Sequence, residues 1–237
     1  MNKSVLVIFL VSMNFIFSQN SSGVVSYKVI VNKGNITKSD TIQSEDKKEI
    51  ANFFTAILKK SIEKNFELFY NDSTSLFVEK SELKYDSGNS NLYGKSNNDK
   101  LYVNIKNFTY INQVDLYGKN FLISDKINQL SWVIDRSQEK FILDKKTYKA
   151  TCTNKVNGKE FKVVAWFSEE ISLGFGPDNY CGLPGLILEL DAGNLSYKCE
   201  SIIFDKQNIK KPNSGKRVTQ KEFDVIANQK QIEILGF

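Results

Sequence analysis

The sequence predicts an α+β fold: a curved antiparallel β-sheet, half-barrel or bowl-like, that wraps one long helix and carries a short helix near the C-terminus. Three observations lead there. Most of the chain consists of short apolar–polar alternations of strand length. One segment alone shifts to helical spacing, with Ile50, Phe53, Phe54, Ile57, Leu58 and Ile62 three and four residues apart. Two dipeptides, Asn157-Gly158 and Gly193-Asn194, carry hairpin turn chemistry between apolar runs.

At the N-terminus Lys3 precedes an apolar stretch, Val5 to Phe17, which Ser18 and the polar run Gln19 to Gly23 close. The stretch falls short of the ~20 apolar residues a membrane-spanning helix needs. Residues 1–18 therefore read as a cleavable secretory signal, and 24–237 as a single β-rich domain that is periplasmic or secreted. An uncut anchor helix is disfavoured by Asn14 within the span.

Val24 to Val31 is a β-branched opening strand. The helix of Ile50 to Ile62 starts where Ser44 or Asp46 can cap it, and ends in Lys59, Lys60 and Lys64, which suit the helix dipole. Strands are expected at Phe66 to Tyr70, Ser75 to Val78, Leu101 to Ile105, Thr109 to Leu116, Asn120 to Ser124 and Leu130 to Ile134, with a long polar loop over Asp86 to Lys100. Thr219 followed by Glu222 forms a capping-box pattern ahead of Phe223, Val225 and Ile226 and predicts the last helix.

The two turns fix registers. A type I′ turn at Asn157-Gly158 sets Val156 opposite Lys159, which pairs Tyr148 with Phe167, Ala150 with Ala165 and Cys152 with Val163 on one apolar face. Thr147, Lys149, Thr151 and Thr153 then face the other way, with Lys162, Val164, Trp166 and Ser168. A turn at Gly193-Asn194 sets Ala192 opposite Leu195, Leu190 opposite Tyr197, Leu188 opposite Cys199 and Leu186 opposite Ser201. Cys152 and Cys199 both point inward. In an oxidising compartment they form a disulfide if their Cα atoms come within about 4.4 to 6.8 Å; otherwise they are buried free thiols.

Composition excludes more than it selects. The net charge of +5 comes from lysines spread along the chain, with Arg136 and Arg217 the two arginines, which argues against nucleic-acid binding. With no histidine, Ser-His-Asp and Cys-His machinery cannot be built. Cys152, Cys181 and Cys199 lack CxxC spacing, so no metal site is expected, and no cofactor.

Gly174 to Leu190 carries the most distinctive pattern: Gly176-Pro177, then the hexapeptide Gly182-Leu183-Pro184-Gly185-Leu186-Ile187, then Leu188-Glu189-Leu190. With Trp132, Tyr148-Lys149-Ala150 and Ala165-Trp166-Phe167, it resembles the GLPGLI family of exported proteins of Gram-negative bacteria, over roughly Leu130 to Asp191. The resemblance implies export and a family mostly of unknown function, and no catalytic residue is carried over. In architecture the chain is also similar to the bowl-shaped N-terminal domain of a bacterial peptide-N-glycosidase and to the half-barrel of periplasmic lipoprotein carriers.

Two readings of the hexapeptide stand side by side. In the architectural one, Gly182, Gly185 and Pro184 make a stiff turn that seats the Leu186 to Leu190 strand against the long helix. In the other, the segment lines a ligand-binding mouth formed by Trp166, Phe175, Gly176, Pro177, Tyr180, Gly182, Leu183, Pro184 and Gly185. Glu169, Glu170 and Asp178 form an acid–base or calcium group, or simply a solvated surface. The function expected is a non-catalytic binding protein for an apolar or amphipathic ligand, a lipid or peptide. The alternatives are an accessory subunit of an outer-membrane protein and a carboxylate- or thiol-dependent hydrolase.

Overall fold

The computed structural model describes residues 21–31, 63–80, 99–156 and 158–235. The signal segment 1–18, the helix expected over Ile50 to Ile62 and most of the loop expected over 86–100 lie outside the described residues.

Twelve strands form one sheet: β1 (Gly23–Val31), β2 (Glu63–Tyr70), β3 (Thr74–Glu79), β4 (Lys100–Asn104), β5 (Thr109–Leu116), β6 (Lys119–Lys126), β7 (Val133–Ile142), β8 (Lys145–Val156), β9 (Lys159–Ser168), β10 (Leu186–Ala192), β11 (Leu195–Ile203) and β12 (Lys216–Val218), before the helix α1 (Gln220–Leu235). Their order in space is β12-β6-β5-β4-β3-β2-β1-β11-β10-β9-β8-β7. The sheet is thus two antiparallel meanders, β1 to β6 and β7 to β11, joined along β1 and β11. Among the described residues only β12, which lies on the outer side of β6, pairs in parallel.

The turns do the local work. Tyr117-Gly118 and Leu143-Asp144 both adopt positive φ (51°, 77° and 49°, 59°), the signature of the two-residue hairpin turn whose twist matches that of the strands. At the β2–β3 turn the Asn71 side-chain oxygen accepts from the Ser73 and Thr74 amides at 3.2 and 3.0 Å. The register predicted for β8 and β9 is observed, with Tyr148 opposite Phe167, Ala150 opposite Ala165 and Cys152 opposite Val163. For β10 and β11 the pairs of Ala192 with Leu195 and Leu190 with Tyr197 are observed; the ladder continues to Glu189–Lys198, and a register shift on the β9 side follows at Ile187/Glu189.

Alternation along the strands puts Val25, Tyr27, Leu68, Tyr70, Phe77, Val103, Ala165, Phe167 and Tyr197 on one buried face. That face is concave, as a connection shows: β6 and β7 are ten strand positions apart, yet 127–132 joins them. In a flat sheet ten positions would span about 48 Å, whereas seven Cα steps reach at most about 25 Å. The sheet must curl until its ends approach each other. Rings agree: Phe77 and Tyr197, three strand positions apart, have centroids 6.3 Å apart, where a flat sheet would separate the strands by about 14 Å. The sheet nevertheless stays open, since β7 and β12 end the hydrogen-bonded order.

The strand expected at Leu130 to Ile134 is displaced. Its first half belongs to the 127–132 strap, where Ile127 is buried and its amide donates to the Phe108 carbonyl at 2.8 Å. The apolar spacing of Leu130 and Trp132 serves the crossing and not a ladder. Strand β7 runs on to Ile142 through the polar stretch 135–140, broken by a bulge in which Asp135 accepts from the Ser137 amide and hydroxyl at 3.0 and 2.6 Å. Such a kink blunts an open edge against pairing with other chains.

Helix α1 is capped as its sequence predicts. The Glu222 carboxylate accepts from the Thr219 amide at 2.7 Å, and the Thr219 hydroxyl faces the Glu222 amide at 3.3 Å. The backbone and side-chain bonds from Thr219 lower the Glu222 pKa. The cap is therefore complete above the ordinary carboxylate range and is lost as pH falls through the lowered pKa. The expectation of a sheet wrapped around a long N-terminal helix is not met by any described helix; α1 lies at one end of the concave face, with Phe223 edge-on to Phe121 at 5.5 Å.

Removing the cap with Thr219→Ala is expected to lower stability by about 1 kcal/mol. Faster hydrogen exchange confined to the first turn of α1 would check it; uniform protection would contradict it.

Candidate functional site

The segment 169–187 lies on the concave face, and its own backbone holds it together. Gly182 donates to Gly174 at 3.0 Å, Leu186 to Ile171 at 3.0 Å and Ile187 to Phe175 at 2.9 Å. The Asn154 amide donates to the Tyr180 hydroxyl at 3.2 Å, the Trp132 indole to the Cys181 carbonyl at 3.0 Å, and the Tyr27 phenol to the Ile187 carbonyl. These bonds tie it to β8, the strap and β1. Ile171, Phe175, Leu183, Leu186, Ile187 and Leu188 are all at most 3 % exposed. The segment is a plug in the curl of the sheet.

Two glycines explain why the hexapeptide has its composition. Gly182 has φ +94°, a backbone conformation that side chains disfavour. A Cβ on Gly185 would stand 2.1 Å from the Ser168 carbonyl oxygen, so only hydrogen fits where the plug meets the end of β9. The architectural reading accounts for both.

The nine residues of the mouth reading do not share one exposed surface. Phe175, Gly176, Pro177, Tyr180, Leu183 and Gly185 are buried, leaving Gly182 and Pro184 exposed. Trp166 is on the opposite side of the sheet, because it alternates with the inward Ala165 and Phe167. There Lys140 covers its ring at 4.4 Å while pairing with Glu189 at 2.8 Å. The sheet itself separates Trp166 from Tyr180.

The acidic group divides as well. Glu169 pairs with Arg136 at 2.6 Å and Glu170 with Lys145 at 3.0 Å, while the Lys146 amide donates to Glu170 at 2.9 Å. Asp178 faces inward near Tyr110, whose pKa is raised to about 12, first by burial and then by the carboxylates of Asp125, Asp224 and Asp178. No group of acids and cysteines with metal-binding geometry exists among the described residues. Thr147 and Ser168 alternate with the inward Tyr148 and Phe167, as the register predicts, and both are fully buried, Thr147 donating to the Lys140 carbonyl at 2.8 Å.

All three cysteines are free and buried. The pairing of Cys152 with Cys199 fails because β8 and β11 are three strand positions apart. In addition, the row through Cys152, Val163 and Ala192 meets β11 at Leu195, four residues from Cys199. That is roughly 14 Å across and roughly 13 Å along the sheet, far beyond disulfide reach. Burial raises the thiols of Cys152 and Cys181 to about 11 and of Cys199 to about 12, so none is an ionised nucleophile at neutral pH.

An apolar-walled concavity lies elsewhere, under α1 at the β6 end of the concave face. A cleft of about 490 Å³ is walled by Leu116, Tyr117, Phe121 and Ile226, and Lys119, Lys216, Lys230 and Glu233 also line it. A second depression of about 410 Å³, on the same helix, shares Lys216 and Ile226 and adds Arg217 and Lys221. A third, of about 550 Å³, is more polar and opens beneath the strap beside Thr151, Thr153 and Lys162. Sequence reasoning missed the α1 cleft because its parts come from a hairpin turn, a three-residue strand and a helix. The signal available was the helical spacing of Phe223, Ile226 and Lys230.

Against known proteins, the model of a family described as "Protein of unknown function (Porph_ging)" matches residues 126–189, from the strap through β10, including the hexapeptide. No curated protein matches. Two solved structures, titled "Structure of PNGF-II in P21 space group" and "Structure of PNGF-II in C2 space group", are similar at TM-scores of 0.56 and 0.55, with 12% and 11% identity. Each likeness covers 88% of this chain and 33% of the other, so this chain spans one third of their length. At this identity the likeness is one of fold.

Gly185→Ala is expected to cost about 1–3 kcal/mol or more, since the backbone at Ser168 must move; a urea midpoint equal to that of the wild type would contradict it. Alkylation without reductant should leave the native thiols unmodified at pH 7 and label all three once denatured. Because the folded state holds its thiol and tyrosine protons above their ordinary pKa values, stability should be full below pH 9 and fall as pH rises toward 11–12, as urea titrations at several pH values can check.

Proposed function

We propose that this chain is a non-catalytic binding protein for an apolar or amphipathic ligand, exported by way of the segment 1–18. One observation carries the reading: an apolar-walled cleft of about 490 Å³ between α1 and the concave face, within the size range of small-molecule sites. The chemistry of the plug supports it from the other side. Its one cysteine, Cys181, is buried and protonated and its acids Glu169 and Glu170 are in ion pairs, so the 169–187 segment reads as scaffold.

A role as an accessory subunit is favoured by a different feature. Along the open β7 edge Val133 and Phe141 are 68% and 71% exposed, an unusual degree for large apolar side chains. The bulge at Asp135 works against simple strand addition there. The α1 cleft therefore takes precedence.

Filling the cleft decides the matter. Ile226→Trp should weaken binding of the neutral apolar dye N-phenyl-1-naphthylamine at least tenfold with the circular dichroism spectrum unchanged. Equal dye binding by both proteins would place the apolar site elsewhere.

A further inference from the structure

We infer that the ligand of the α1 cleft is a single-chain amphiphile with an acidic head, its chain against Leu116, Phe121 and Ile226 and its head at Lys119 and Lys216. This rests on the binding reading above and adds to it the charge, the size and the orientation of the ligand.

Charge comes from the rim. Of the cations lining the cleft, Lys230 is paired with Glu233, one helical turn away. Among the described residues Lys119 and Lys216 form no ion pair. Glu222 lines the adjoining depression with Lys216, and its carboxylate is held in the cap by the Thr219 amide and hydroxyl at 2.7 and 2.9 Å. Arg217 and Lys221 line the adjoining depression together with Glu222, which leaves it one further positive charge on the same side. An acidic head placed here meets a surplus of cations, whereas a cationic head would be repelled.

Position comes from the strands. Leu116 and Lys119 are a cross-strand pair at the end of the β5–β6 hairpin, and Phe121, two residues further on, lies deeper on the same face at 5% exposure. Lys119 is exposed and Phe121 is buried, so the lysine belongs to the solvent side of the cleft and the ring to its inner side. An ion buried on that inner side would lose its hydration without compensation. The head must therefore stay at the rim while the chain goes in. Ammonium groups act as point charges and do not require a planar acid. Carboxylate, sulfate and phosphate monoesters are equivalent in this respect.

Size comes from the volume. At ~30 Å³ for each water-sized group, 490 Å³ holds on the order of 16 such groups, enough for one medium-length chain.

The test uses the protein purified as its own cells process it, titrated calorimetrically with decanoate, 1-decanol and decyltrimethylammonium at 50 and 500 mM salt. Decanoate should bind at least tenfold more tightly than decanol at low salt, the difference should shrink at high salt, and the cation should bind weakest. Lys119→Glu with Lys216→Glu should abolish the preference for decanoate over decanol. Lys119→Gln with Lys216→Gln should do the same if the charge reversal disturbs folding. Equal affinity for decanoate and decanol would overturn the inference while the binding reading survives. Binding of none of the three would remove both. Association with anionic phospholipid vesicles in the absence of decanoate binding would assign the cations to a membrane surface and overturn the inference.

Discussion

The strap 127–132 joins β6 to β7 across a sheet that would hold them about 48 Å apart if it were flat. Every strand between must therefore share the bending. Strand twist supplies it: a right-handed rotation of ~20° or more at each step coils a wide sheet upon itself. The strap is anchored by a buried Ile127 and by the Trp132 indole on the Cys181 carbonyl, which fastens the closing connection to the plug inside. The concave face, the plug and the cleft under α1 all exist because the two ends of the sheet are kept close.

Curling creates a packing problem that the 169–187 segment solves. A concave face lined by Tyr27, Phe77 and Tyr197 leaves apolar surface that needs covering, and long-range pairing supplies no helix over β8 to β10 among the described residues. The segment covers it with Phe175, Leu183 and Ile187 while satisfying its own backbone groups internally, as a buried irregular chain must. Gly185 permits the close approach to Ser168 and Gly182 supplies the reversed backbone. The hexapeptide is distinctive because its geometry is demanding. That demand is structural, which is why the function is better sought at α1.

Legibility followed sequence distance. The capping box at Thr219 and the β8–β9 register could be read directly because each is decided by a few neighbouring residues. Of the two readings of Cys152 and Cys199, buried free thiols agree with the structure and a bridge does not; two hairpins read separately do not reveal how many strands lie between their cysteines. Trp166 was grouped with Tyr180 on closeness in sequence, although strand alternation sends it to the other face. Leu130 and Trp132 alternate like a strand but are spent on the crossing.

By itself the sequence determined the strand-rich class, the turns, the helix cap and the exclusion of histidine-dependent chemistry, since these depend on composition and on contacts a few residues long. Tertiary structure alone decided that the sheet curls, that the three thiols stay apart and protonated, and that Leu116, Lys119, Lys216 and Ile226 share one cleft. The reason is physical: curvature is the sum of small twists over twelve strands, and no local pattern carries that sum.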